Sequence, residues 1–176
     1  MYGTCTASEF ERNWPNEDDL PLRETLSELH QAAQQRPNPD AIITRWQKAV
    51  NDLYEIIARN LHDYTTDGLL LLQQKEVSRS EETLGSYTIN ELHIIAGTET
   101  VILTPVGAIV IGAHGRVDMF KRGYANTRCI FLWNGRTTNA GGWQIISPFV
   151  QDHPTNRPYS KSFFEATLDQ LLKQGS

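Results

Sequence analysis

An α+β fold is predicted for this chain from the way its hydrophobic periodicity changes along its length. Apolar residues recur at helical spacing in the first third, alternate with polar residues in the middle, and return to helical spacing near the C-terminal end. Helices and strands segregated in this way favour helices laid on one face of an antiparallel sheet over a parallel βαβ arrangement. The expected architecture is an N-terminal antiparallel helix pair, an antiparallel meander of about six strands and a C-terminal helix packed on the sheet. With 176 residues, one α+β domain over 20–176 suffices, preceded by an extended arm over 1–19.

The arm carries Gly3, Pro15 and the acidic group Glu17, Asp18, Asp19 without a sustained period, and Trp14 is the exception, a large indole beside Pro15 that is expected to cover something. Leu22, Leu26, Leu29 and Ala33 then step by four, three and four, with Asp19 placed to cap the helix and Pro37 beyond its end. The second helix has Asn38 as N-cap, Pro39 as first helical residue and Asp40 as first-turn acid. Its apolar stripe runs through Ile42, Trp46, Ala49, Leu53, Ile56 or Ile57, and Leu61.

After Asp63 the period becomes two. Strands are predicted over 69–77, 87–95, 99–104, 108–120, 127–133 and 143–147. The turns fall at Gly97, at Gly107, at Gly123 and between Asn134 and Gly142. A last helix is predicted over 163–173, with Ser162 and Glu165 as a capping box.

Hydrophobic content of 39% and charged content of 21% exclude wholesale disorder. No window approaches the roughly 18 apolar residues of a membrane span, and the N-terminus lacks a basic start followed by an apolar run. Two cysteines, Cys5 and Cys129, are too few for a disulfide framework and lack metal-ligand spacing. A bacterial-type cytoplasm is therefore expected. The net charge of -5 is unevenly spread: residues 106–160 hold 6 bases (Arg116, Lys121, Arg122, Arg128, Arg136, Arg157) and 2 acids. Five of these bases are arginines, whose planar donor forks suit carboxylate and phosphate.

Within that basic segment an apolar run enters His114, Arg116 and Asp118, which leave one face if the strand is regular. Gly112 and Gly115 flank His114, so a bulge there would change the facing. Glu91 and His93 repeat the spacing on an earlier strand, and a metal reading would need the register to bring His93 to His114. No phosphate loop, zinc motif or nucleophile elbow is present, and no cofactor or metal is expected.

The leading expectation is a non-enzymatic binding or interaction protein, immunity-like or accessory in role. It would hold a partner protein or small anionic ligand on a basic, aromatic-bearing sheet surface made by His114, Arg116, Asp118, Arg128, Trp133, Arg136 and Trp143. The rival is a small enzyme for a phosphoryl- or carboxylate-bearing substrate, with His114 as general acid or base, Asp118 orienting it and Arg116 clamping the anion. Nucleic acid is disfavoured by the acidic total and the lack of a known module. The meander's open edges leave a dimer conceivable.

Overall fold

A computed structural model describes residues 21–34, 38–136, 142–149 and 156–175. The chain divides into two compact units after Asn38, and each is described by itself. In the first, α1 (Pro21–Gln34) forms where the leucine spacing places it. The arm over 1–19, with Trp14, Cys5 and the cap at Asp19, lies outside the described residues.

The second unit is α+β. It comprises α2 (Pro39–Asn60), a short α3 (His62–Thr66), seven strands and α4 (Lys161–Leu172). The strands are β1 (Leu71–Glu81), β2 (Gly85–Ala96), β3 (Glu99–Gly107), β4 (Gly115–Lys121), β5 (Arg128–Trp133), β6 (Trp143–Ile146) and β7 (Asn156–Pro158). They form one antiparallel sheet in sequence order, so the predicted meander is present with seven strands rather than about six. The added strand is the three-residue Asn-Arg-Pro segment paired to β6. It has no apolar alternation to read, and its proline sits where prolines are tolerated, on an edge.

Helices α2 and α4 cover one face of this sheet. Trp46, Val50, Leu53, Tyr54 and Ile57 of α2 and Phe164, Leu168 and Leu171 of α4 enter a single core with Leu92, Ile94, Leu103, Val117, Met119, Phe131 and Ile145 of the strands. Tyr54 spans the helix–sheet boundary, its hydroxyl lying 3.0 Å from Asn90 O and 3.2 Å from Leu103 O. Burial is the main cause that raises its pKa far above the ordinary tyrosine value. Lys121 is also buried: its ammonium donates to the carbonyls of Leu172 (3.1 Å) and Gln174 and meets Glu99 at 2.8 Å. It thus satisfies carbonyls that the end of α4 leaves without helical partners.

The cap of α4 differs from the expected box. Ser160, two residues earlier than Ser162, is the N-cap and accepts from Phe163 N at 3.3 Å. Glu165 is thereby moved off the cap and onto the flank of the helix.

Candidate functional site

The largest departure from the predicted strands lies at the segment 108–120, expected to be one long strand. Only Gly115–Lys121 is strand; Ala108 to His114 forms a loop between β3 and β4. Three features stop the ladder. Pairing shifts between Pro105 and Gly107, Gly112 adopts φ 80°, and Val110 and Ala113 close a tight bridge of their own. The positive φ at Gly112 is a turn conformation that β-branched neighbours do not adopt readily.

The loop is pinned from a distant hairpin. β1 and β2 run on past the last β2–β3 pair, Leu92 with Leu103, and bring Glu81 over the loop. Its carboxylate accepts from Ala108 N (2.9 Å), Ile109 N (3.2 Å) and the Tyr87 hydroxyl. Arg79 of the same hairpin donates to Pro105 O at 2.6 Å and also to the Thr104 hydroxyl. Alternation within the loop then turns Ala108 inward and leaves Ile109 51% and Ile111 105% exposed, beside Val106 at 42%. An apolar group held outward on a backbone fixed by side-chain hydrogen bonds is unusual, because loops are ordinarily polar and adaptable.

Arg116 stands opposite Gly107 in the ladder, at the base of the loop. Its guanidinium grips Asp118 bidentately, with Nε to Oδ1 at 2.6 Å and Nη2 to Oδ2 at 2.9 Å. Arg128 adds a third bond to Oδ2 at 3.1 Å. The Asp118 side chain is 3% exposed, whereas Arg116 and Arg128 keep 31% and 43%. The hydrogen bond to Asp118 is the leading reason that the Arg116 pKa is raised. Two fixed guanidiniums on one buried carboxylate leave one positive charge facing outward. Half-buried Ile102, Phe120, Ile130 and Leu132 share that face with them.

The adjoining strands carry a second polar group. Glu91 accepts from Thr104 at 2.6 Å and lies 3.3 Å from both Arg79 Nη2 and His93 Nε2. Burial opposes its ionisation, but the bonds from Thr104 and His93 and the charge of Arg79 outweigh it, so its pKa is lowered. Thr104 is the cross-strand partner of Asp118, so the two groups are neighbours on the open face.

Several predicted site residues fall elsewhere. His114 does not join Arg116 and Asp118 in a row: its ring packs edge-on to Trp133 at 6.4 Å and against Gly135. The register sets His93 opposite Ile102 and Ile102 opposite Phe120, so His93 and His114 are not aligned. Among the described residues no group of three His, Cys, Asp or Glu side chains could hold a metal ion. Gly115 serves packing, since a Cβ there would sit 2.1 Å from Trp46 Cζ3.

Trp133 and Trp143 are not surface aromatics. They are 3% and 1% exposed, stack on each other at 6.4 Å between ring centroids and pack at a tilt against Trp46 at 6.3 and 6.0 Å. Arg136 is exposed on the loop after β5, where its carbonyl accepts from Trp133 Nε1 at 3.0 Å. Of the other bases, Arg157 covers the Phe163 ring. Ile109, Ile111 and Glu81 were not singled out by sequence, although Pro105, Gly107 and Gly112 within eight residues signal a broken strand.

Comparison with protein-family models, with curated proteins and with solved structures finds no match for this chain. Among the described residues no helix is long and apolar enough to cross a membrane.

Proposed function

We propose that the chain is a non-enzymatic interaction protein, as an immunity-like or accessory protein would be. It holds a partner protein at the β3–β4 end of the sheet, and the partner places an acidic side chain on Arg116 and Arg128 and an apolar patch on Ile109 and Ile111. The observation that carries this reading is the outward display of Ile111 on a loop whose backbone is fixed by Glu81. A displayed apolar side chain costs solubility unless something covers it, and a pre-ordered loop loses little entropy when that happens. The adjacent arginines supply charge complementarity, which sets orientation and association rate.

The test uses the immobilised full chain in a lysate of its source cells. The wild type retains a protein that Ile111→Asp and Arg128→Gln both lose, while Gln170→Glu on the exposed flank of α4 retains it. Arg128 is preferred to Arg116 because the bidentate Arg116–Asp118 pair then survives and the fold with it. Equal retention by all four proteins refutes the reading.

A further inference from the structure

We propose that the free edge of β1 pairs antiparallel with β1 of a second copy, so that two seven-stranded sheets become one across a twofold axis. The two edges of the sheet are built differently. β7 closes one side with three residues ending in Pro158, the short, proline-bearing form that discourages further pairing. β1 closes the other side with 11 residues, contains no proline, and keeps an unshifted register against β2 from Leu71 to Glu81. Among the described residues only β2 pairs with it, so alternate residues of β1 turn their N–H and C=O groups away from the sheet. Gln73 to Glu76 are exposed in a row, and Leu71 at the start of the strand is 61% exposed.

Charge selects the register and the occupant. A twofold axis normal to the sheet keeps each face continuous, so it must pass where one residue meets its own counterpart. Centred on Lys75, the pairing sets lysine against lysine; centred on Glu76, glutamate against glutamate; centred on Val77, Lys75 against Arg79. Centres beyond Val77 bring Arg79 and Glu81 to the seam, and both are already committed to the backbone of Pro105, Ala108 and Ile109. A centre at Gln73 shortens the ladder to residues 71–75. The centre at Gln74 avoids all of these and pairs the run 71–77 with itself, an ordinary strand length. Gln73 then lies opposite Lys75 of the second copy, and exposed Leu71 lies opposite half-buried Val77. No like charges face each other. An unrelated extended peptide would gain the same backbone bonds but not this match, which arises because the strand is its own partner.

The edge shares no residue with the partner contacts at Ile109, Ile111, Arg116 and Arg128, so the two proposals stand or fall separately. The experiment follows the full chain by sedimentation velocity and by NMR amide exchange from about 1 to about 300 µM, where a small interface associates. A monomer–dimer equilibrium is expected, with protection rising with concentration at alternate amides of the run 71–77. Gln73→Lys places like charges at both symmetric Gln73–Lys75 pairs and should weaken the dimer about tenfold, whereas Gln73→Glu should tighten it by a similar factor. A wild-type chain that stays monomeric over this range would overturn the proposal, with no reliance on how either variant folds. So would a dimer whose affinity ignores the charge at position 73, or one whose added protection lies outside β1. Edge amides of β1 protected equally at every concentration would also overturn it, because a segment of the same chain would then be the occupant.

Discussion

Replacing Asp118 by asparagine separates an architectural ion cluster from a set of groups held ready for chemistry. The substitution keeps the side chain's shape and removes the charge that receives three arginine hydrogen bonds. Removing one partner of a fully buried ion pair costs about 3–5 kcal/mol. Here the carboxylate is 3% exposed but the arginines are 31% and 43% exposed, so water recovers part of the loss on their side. The expected destabilisation is therefore roughly 2 to 3 kcal/mol. For a chain of this size that lowers Tm by roughly 5 to 10 °C.

Urea unfolding followed by tryptophan fluorescence measures it, since Trp46, Trp133 and Trp143 all lie in the core. Arg128→Gln alone should cost less than about 1 kcal/mol, because Arg116 still neutralises the carboxylate. A stability for Asp118→Asn within about 0.5 kcal/mol of wild type would mean that the carboxylate contributes nothing to the fold and that the cluster is not architectural.

Further outcomes follow from the same geometry. Gly115→Ala drives a methyl to 2.1 Å from the Trp46 ring, which Trp133 and Trp143 hold in place, so it should cost about 3 kcal/mol or more by urea unfolding. Glu91 has a folded pKa below its ordinary 4.5, so its contribution to stability is complete above that value. The contribution is lost as pH falls through the lowered folded value, and Glu91→Gln should flatten this part of an acid-unfolding series. Burial pushes the Cys129 thiol up to about 12, with a hydrogen bond to Ser147 opposing only in part. In a Cys5→Ser background, iodoacetamide at pH 8 should therefore modify it only after unfolding.

Much of the architecture was legible because it rests on local chemistry. Pro39 does open α2, and Gly97 with Thr98 does make the two-residue turn between β2 and β3, with Gly97 at φ 57°. The site was harder to read, for a physical reason. The run Ala108 to Ile111 has the composition of a buried strand, yet its fate is set by Glu81, a residue far away in sequence that takes the backbone donors a neighbouring strand would have taken.

Arg116 and Asp118 do share a face, as their spacing requires. His114 precedes the strand and escapes that alternation, and its ring goes to Trp133. The tryptophans flanking the Asn134–Gly142 loop look alike in sequence whether exposed or buried. What decides is Trp46, brought from α2 onto the glycine at 115.

If Ile111 is displayed to be covered by a partner, Ile111→Asp must break that contact without disturbing the fold. Because the side chain is 105% exposed, the change should leave Tm within about 1 °C of wild type, as surface substitutions do. It should also weaken capture of the partner by tenfold or more, the loss expected when an interface anchor is removed. Unchanged capture by a normally folded Ile111→Asp protein would contradict the claim.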